Sequence, residues 1–496
     1  MQLLLIIMLE ALHVLPPTFW LTALLICAGG ASAMTKMRAG IGLPMLTVLG
    51  TVTSWYVGDA FYNDYAQNHV LLFTGDLLES AWLQVAWFVA VFLLLAPMIH
   101  RSMNHSLQER ESFVYQLMKT GADDFRLQLR FEKMFWGAAV IWMVLVGIAF
   151  CKLGDQMFYY FFPYLGYKAD PWGRGRLGQG LDAVWTVAGY VQMFVAMVFG
   201  VTAALARRPI VRNLALIGCV LLWPFYIFDR VRNTMLAVMV PGILAWVFIR
   251  IRSSWLVKLA VLAGCFGLIN SWFAFVIANR SDTSIVAAIH GEATSGMQES
   301  AKTAHHEGMN MFEELCWINQ FIETGAYNVN WGKRYFAEIV NPIPRTLWPG
   351  KPMIGIDYAA ARGQSGSGET DNTDASGVYA TISTGMIGQG EVNFGRFLGP
   401  AFAAFLMSLW AALLARLDLR GDELGNLPLY ALGLILTYNL GRDITLITLY
   451  TFFFGWGVVW WVNRRNSNNM TRMTRNNRSP QFQPGRQLHP ESKAAS

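Results

Sequence analysis

The stretch "LPLYALGLILTYNLGRDITLITLYTFFFGWGVVWWV", residues 427–462, decides the fold class of this chain. Its only charged residues are Arg442 and Asp443, at its centre. Because about 20 apolar residues in a helix cross the ~30 Å of hydrocarbon in a bilayer, the stretch predicts two membrane spans joined by a charged turn. A charge inside hydrocarbon is costly, so a charged pair placed at such a turn is a candidate functional site.

The rest of the chain repeats this pattern. Its 496 residues are 54% hydrophobic and only 14% charged, which excludes an ordinary soluble domain. Apolar runs of about 17 to 24 residues predict eleven spans, and residues 1–12 form either a twelfth span or a short interfacial helix. The predicted spans are 14–34, 41–58, 81–99, 135–151, 183–206, 211–228, 234–250, 255–277, 397–415, 428–441 and 444–462. The predicted fold class is an all-α polytopic membrane protein.

Basic residues between the spans fall on alternate ends of the predicted bundle. One end carries Lys36 and Arg38, the segment from Arg101 to Lys133, Arg207, Arg208, Arg212, Arg250, Arg252, Lys258, Arg416, Arg420, Arg464 and Arg465. By the positive-inside rule this end is cytoplasmic, and so is the C-terminus. The net charge of +6 therefore reports membrane topology and does not point to a nucleic-acid partner.

This topology divides the chain into four parts. Residues 1–278 form an N-terminal bundle with a cytoplasmic amphipathic loop at 100–134, and residues 279–396 form one large external loop. Residues 397–462 supply the C-terminal spans. The polar tail at 463–496 is predicted to be disordered because it has too little apolar surface to fold.

Apolar residues at helical spacing predict an amphipathic helix in the large loop. They are Phe312, Leu315, Ile318 and Ile322. We expect this helix to begin at the "HHE" sequence, residues 305–307, and to end before a glycine.

Motifs for metal and nucleotide chemistry are absent from the sequence. The five cysteines are scattered without a C-x-x-C pair. There is no Walker loop, G-x-S-x-G elbow or D-x-D pair. We predict no metal and no cofactor.

Three regions bring cations to the predicted outer end. They are "FDRVRNT" with Arg230 and Arg232, "NPIPRTLWPGKP" with Arg345 and Lys351, and "NLGRDIT" with Arg442 and Asp443; Glu391 follows the second region in "GEVNFG". Guanidinium groups match phosphate oxygens in charge and geometry, so the regions together indicate capture of an anion such as the diphosphate of a lipid carrier.

Each of these residues also has a simpler interpretation. Arg230 and Arg232 are suited to snorkelling toward headgroups, and Arg442 with Asp443 to a structural ion pair. Glu391 is suited to the N-terminus of a helix, and Lys351 to a solvated loop.

Two further groups are candidates for contact with sugars. His305 is a candidate base or acceptor contact, although adjacent histidines on a helix make a poor metal chelate and favour a surface pair. The external loop "YYFFPYLGYKADPWGRGRLGQG" places Trp172 beside Arg174 and Arg176. Its aromatic residues suit stacking on sugar rings or an interfacial aromatic belt.

The motifs "IPRTLWPGKP", "GEVNFG" and "GRDIT", together with the "DRVRN" turn, resemble those of the Wzy-type O-antigen and exopolysaccharide repeat-unit polymerases. The resemblance is strongest over residues 312–460. It implies a GT-C-like helical enzyme of the bacterial inner membrane that joins undecaprenyl-diphosphate-linked oligosaccharides on the periplasmic side, without nucleotide sugar or metal. It carries over Arg345 and Arg442 as diphosphate contacts.

"DRVRNT" departs from the family pattern, in which a small residue and glycine often flank the arginine. Which of Arg230 and Arg232 is the equivalent diphosphate contact therefore stays open.

The predicted function is polymerisation of lipid-linked repeat units. The predicted catalytic residues are Arg345, Arg442, Asp443 and Glu391; the predicted diphosphate contacts are Arg230, Arg232, Arg345, Arg442 and Lys351; and Asp443, Glu391 and His305 are candidate bases. An O-antigen-ligase-like enzyme and a flippase for the same lipid are the alternatives. The predicted partners are the lipid-linked oligosaccharide, the bilayer and chain-length or export proteins, with no nucleic acid.

Overall fold

The computed structural model describes most of the chain. The described residues are 15–62, 73–121, 124–165, 167–172, 182–229, 232–278, 310–341, 343, 347–352, 358, 361–362 and 382–476. Their secondary structure is helical, without a strand among them. The predicted all-α class is confirmed.

The helices of the first half are α1 (Pro17–Thr35), α2 (Gly42–Val52), α3 (Gly58–Tyr62), α4 (Gly75–Met103), α5 (Phe113–Thr120), α6 (Phe125–Leu153), α7 (Met157–Phe161), α8 (Asp182–Leu205), α9 (Pro209–Ile227), α10 (Arg232–Ala245) and α11 (Trp255–Ala278). The second half contains α12 (Met311–Glu323), α13 (Lys333–Val340), α14 (Gly385–Leu419), α15 (Asn426–Leu440) and α16 (Leu446–Asn476). Pro17 and Pro209 occupy the first helical position, where a missing N–H is tolerated. A π-helical turn, Thr53–Val57, joins α2 to α3.

Nine helices of the described part are long and apolar enough to cross a membrane. They correspond to nine of the eleven predicted spans. The other two predicted spans, 41–58 and 428–441, form the α2–α3 run and the 15-residue α15. Because 15 residues rise only about 22 Å, α15 is shorter than the hydrocarbon core of a typical bilayer.

Contacts between loops confirm that the predicted basic loops share one end of the bundle, here called the basic end. Arg110 Nη1 lies 3.2 Å from Asp422 Oδ1, and Arg208 Nη1 lies 2.7 Å from Glu132 Oε2. The Ser112 N–H donates to the carbonyl of Arg38 at 2.8 Å. The opposite end carries α12 and α13 and is called the loop end.

The packing of the bundle centres on two groups of helices. The pair α4–α14 makes the most extensive helix contact, and α8 packs against α6, α9, α10 and α16. A Cβ on Gly242 would lie 2.8 Å from the carbonyl carbon of Gly200, so α10 and α8 cross in backbone contact. Small residues commonly permit such close crossings between membrane helices.

The amphipathic helix predicted in the large loop is present as α12. Phe312, Leu315 and Ile318 are fully buried on the face that packs against α4 and α14. The helix begins at Met311, so the predicted start at the "HHE" sequence is wrong, and residues 305–307 lie outside the described residues. The first turn of α12 is capped from a distant segment, because Asp59 Oδ2 accepts from the N–H groups of residues 312 and 313 at 2.7 and 3.1 Å.

The large loop was predicted to end at residue 396, but α14 begins at Gly385. Gly395 interrupts α14 with φ 78° and ψ 179°. A Cβ on Gly390 would lie 2.2 Å from the carbonyl oxygen of Gly399, a separation that a straight helix would extend to about 13 Å. The first segment of α14 therefore folds back on the second. The glycines of "GQGEVNFG" indicate a loop when the sequence is taken alone. In the structure they permit the two segments of α14 to cross closely.

The prediction of disorder from Asn463 onward is wrong for residues 463–476, where α16 continues as a helix. A helix that a membrane span has already nucleated extends at little further cost, even through polar residues. Residues 477–496 lie outside the described part of the chain.

Candidate functional site

A cavity of about 340 Å³ lies at the loop end between α8, α9, α10, α15 and α16. Its volume falls in the ~300–1,000 Å³ range of small-molecule pockets. The wall mixes polar and aromatic side chains from Lys168, Asp170, Trp172, Thr186, Tyr190, Phe225, Tyr226, Asp229, Asn233, Thr234, Asn439, Thr448 and Thr451. The deepest positions on α8 and α16 are Met193 and Thr451.

Both acidic residues of the cavity wall have partners. Asp229 Oδ2 lies 3.1 Å from Lys168 Nζ, which also sits 4.0 Å from the ring centroid of Phe225. Asp170 Oδ1 accepts from the backbone N–H of Trp172 at 3.0 Å. These contacts hold the aromatic wall and neutralise part of its negative charge.

Trp172, predicted as a sugar contact, lies in the wall of this cavity. Its indole N–H donates to Gln192 Oε1 at 2.6 Å, and the Tyr160 hydroxyl donates to the same oxygen at 2.7 Å. The indole is thereby fixed in orientation. Its position agrees with the predicted role, which stays a prediction.

The turn between α15 and α16 carries Arg442 and Asp443 next to the cavity. Arg442 is exposed, and its Nε donates to Ser383 Oγ at 2.7 Å. Asp443 Oδ1 accepts from the Thr384 N–H at 3.2 Å and from its hydroxyl at 3.1 Å. Both side chains are thus hydrogen-bonded to the segment that precedes α14. The simpler interpretation, an ion pair that Arg442 and Asp443 make only with each other, does not fit these contacts.

The first segment of α14 holds this turn in place. Gln389 Oε1 accepts from the Ile444 N–H at 2.8 Å, and its Nε2 donates to the Ile444 carbonyl at 3.2 Å. The Met386 N–H donates to the carbonyl of Gly441 at 3.1 Å. The position of Arg442 is therefore set by a rigid support.

Arg334 and Glu338 on α13 form a buried charged cluster with Asp443 that the sequence analysis missed. Their exposed fractions are only 4% and 3%. Arg334 Nη2 lies 3.5 Å from Asp443 Oδ1, while its Nε and Nη1 have no hydrogen-bond partner within the described part. An R-x-x-x-E spacing in a polar segment predicts an ion pair on the exposed face of a helix. Nothing in the neighbouring sequence indicates that these two side chains are buried.

The surroundings of the Glu338 carboxyl group disfavour its ionised form. No side chain among the described residues donates to either of its oxygens, although the N–H of Leu446 faces it. Burial, followed by the negative charge of Asp443, raises the pKa of Glu338 to about 7, against the opposing effect of Arg334.

Glu391, predicted as a catalytic residue, is fully enclosed. Its Oε1 lies 3.6 Å from Arg396 Nε, and Arg396 Nη2 lies 2.7 Å from Glu323 Oε1 and donates to the Asn319 carbonyl at 3.0 Å. These contacts tie the folded-back segment of α14 to α12. In this structure Glu391 supports the fold and has no access to a substrate.

Lys351, predicted as a diphosphate contact, is also buried. Its Nζ donates to the carbonyls of Asn341 and Ile343 at 2.7 and 2.6 Å, just beyond the C-terminus of α13. A lysine in this position satisfies helix-end carbonyls and complements the helix dipole. We assign Lys351 to the structure of the loop rather than to phosphate binding.

The remaining predicted residues cannot be placed within the described part of the chain. Arg174, Arg176, Arg230, His305 and Arg345 lie outside it, and only the backbone of Arg232 is described. The convergence of arginines on one diphosphate stays a prediction. Comparisons of the chain with protein-family models, curated proteins and solved structures give no match.

Proposed function

We propose that the protein polymerises undecaprenyl-diphosphate-linked oligosaccharide repeat units into a surface polysaccharide, by glycosyl transfer at the periplasmic face of a bacterial inner membrane. The observation that carries the proposal is the polar and aromatic cavity beside the turn of Arg442, at the end of the bundle opposite its basic loops. The sequence resemblance supplies the reaction.

The wall of the cavity is suited to a sugar ring. Trp172 and Tyr190 offer flat apolar faces, while Thr186, Asn233 and Thr448 offer hydrogen-bonding groups around them. Carbohydrates present the same alternation of apolar faces and hydroxyl edges. The cavity therefore supports a glycan substrate better than a purely apolar one.

The proposed reaction forms one bond and breaks one. A hydroxyl oxygen of the acceptor repeat unit bonds to the anomeric carbon of the donor glycan, and the bond from that carbon to the diphosphate oxygen breaks with its electron pair. The hydroxyl proton passes to a carboxylate, for which Asp443 is the predicted site, or to the departing diphosphate. Arg442, with Arg345 and Arg230 or Arg232 by resemblance, would stabilise the charge that develops on the leaving diphosphate.

A transport function for the same lipid is less well supported. Beyond the cavity toward the basic end, a Cβ on Gly455 would lie 2.6 Å from Phe194 Cδ2, so α16 and α8 are in tight contact there. The cavity reaches only as far as Met193 and Thr451. In the described part of the chain this contact closes the cavity toward the basic end, an arrangement that favours chemistry at the loop end over passage across the membrane.

The test is complementation of a strain that lacks this chain, with glycan length as the readout. We expect Arg345→Ala and Arg442→Ala to display single-repeat glycan outside, with polymer reduced at least about tenfold, since a hydrogen bond to a charged group contributes about 1.5–3 kcal/mol. Arg420→Ala, at the basic end, is the matched control. Lipid-linked repeats trapped inside would favour a flippase, and wild-type chain lengths in both variants would refute the site assignment.

A further inference from the structure

The helix α13 buries its charged side chains and exposes its apolar ones. Arg334 and Glu338 face inward, whereas Phe336 is 49% exposed and Ile339 is 66% exposed. Lys333, at the first position, is the only charged residue exposed on this helix. A helix at a water-covered surface has the opposite arrangement, with its apolar stripe toward the core and its charges toward the solvent. The exposed face of α13 is therefore suited to an apolar partner.

The loop after α13 extends this apolar face into a larger surface, here called the α13 patch. Its members are Phe336, Ile339, Ile343, Leu347 and Trp348, all of them exposed. The rings of Phe336 and Trp348 are in edge contact, with their centroids 6.3 Å apart. Lys351 Nζ donates to the carbonyls of Asn341 and Ile343 and so holds the loop against the end of α13. A contiguous apolar patch of this kind marks a site of interaction with protein or membrane.

The helix α13 lies at the depth of the membrane boundary. The ring of Tyr335, on α13, packs against Phe402 of α14 with centroids 5.3 Å apart. Phe402 lies fourteen residues before Arg416, which is at the basic end of the same helix. Fourteen residues of helix rise about 21 Å, less than the ~30 Å of hydrocarbon, so Phe402 lies within the bilayer near its loop-end boundary. The α13 patch is therefore at a depth where lipid can reach it.

A series of ring contacts joins α13 to the lipid-facing surface of α14. Beyond its contact with Tyr335, Phe402 also contacts Phe405, with centroids 6.2 Å apart. Phe405 and Phe397 are exposed on the membrane-spanning helix, where exposed apolar side chains contact acyl chains. Tryptophan, as at Trp348, is typical of the boundary between acyl chains and headgroups. The α13 patch thus continues a surface that already faces lipid.

We propose that the α13 patch is a docking surface for the bilayer leaflet at the loop end, with its apolar side chains among the acyl chains and Lys333 extended toward the headgroups. The charged side of α13 then faces the protein, where Arg334 contacts Asp443 in the turn of Arg442. Docking keeps this turn at the level of the lipid headgroups. The inference does not depend on the proposed function, because an enzyme and a transporter that act on a lipid would both use such a surface.

The test measures the surroundings of single fluorescent labels on the full-length protein in phosphatidylcholine nanodiscs. The five native cysteines are replaced by alanine, and Ile339→Cys, in the patch, carries a nitrobenzoxadiazole label. Doxyl-labelled phosphatidylcholine quenches the label from the bilayer, and iodide quenches it from water. We expect doxyl quenching to be at least about twofold stronger at Ile339→Cys than at Thr324→Cys, exposed at the end of α12, because an interfacial helix inserts only about 5–10 Å. Phe405→Cys, on the lipid-facing side of α14, is the positive control.

A second label position makes the result independent of any one variant. Leu347→Cys, in the loop part of the patch, should show the same strong doxyl quenching and weak iodide quenching as Ile339→Cys. Quenching by iodide alone at both positions would mean that the patch faces water, and would overturn the proposal. Protection from both quenchers would mean that protein covers the patch, either another segment of the chain or a second copy, and would overturn the lipid assignment as well.

Discussion

Replacing Glu338 by Gln should make the protein more stable at high pH and leave it little changed at low pH. Glu338 is buried on α13 beside Arg334 and Asp443, and no side chain in the described part donates to its carboxylate. Gln has nearly the same shape but cannot ionise. The substitution therefore removes only the cost of holding a negative charge in this setting.

The magnitude follows from the pKa of Glu338, which burial raises from an ordinary 4.5 to about 7. A raised carboxyl pKa means that the folded protein binds the proton more tightly than the unfolded chain. Wild-type stability is therefore lost as pH rises from 4.5 through 7, and the loss reaches about 3 kcal/mol above that range. The advantage of Glu338→Gln should grow by about 2 to 3 kcal/mol between pH 5 and pH 8.

The assay is the free energy of unfolding in mixed micelles, measured by SDS titration at both pH values. Glu423→Gln is the control, because Glu423 is exposed at the basic end and its replacement should change stability by less than about 0.5 kcal/mol at either pH. A difference between wild type and Glu338→Gln that stays constant with pH would refute the reasoning. Lower stability of the variant at pH 8 would mean that Arg334 depends on the charge of Glu338.

Three further predictions concern the same measurement of stability. Gly390→Ala should cost about 3 kcal/mol, since its Cβ meets backbone 2.2 Å away, whereas Gly50→Ala, with nothing within 4 Å, should change stability by less than about 1 kcal/mol. Lys351→Met should cost about 2 kcal/mol through two lost hydrogen bonds and leave polysaccharide length unchanged; shortened chains would contradict its structural assignment. Asp59→Ala should cost about 1–2 kcal/mol by uncapping α12, and a neutral effect would contradict that role.

The sequence was sufficient to predict most of the membrane-spanning helices and the two ends of the bundle. Membrane spans depend on composition over about 20 residues, and the basic loops depend on charge alone, so both are properties of local sequence. The amphipathic α12 was equally readable from its apolar spacing. Its start was not, because the cap comes from Asp59, far away along the chain.

The candidate site was only partly predictable, because burial of charge is a tertiary property. Arg442 and Trp172 were identified from their charge and aromatic character, and both lie at or beside the cavity. Lys351 and Glu391 were also candidates by charge, but the folded chain encloses both of them. Arg334 and Glu338 were missed because their spacing on α13 carries no sign that the helix face is buried.

The bonds between residues 383–389 and 441–444 have a consequence for engineering. Ser383 is hydrogen-bonded to Arg442, and Thr384 to Asp443. Gln389 is hydrogen-bonded to the backbone of Ile444. The two segments are remote in sequence but form a single exchangeable unit. A chimera that takes one segment from another protein must take the other as well, and an insertion in either would displace both.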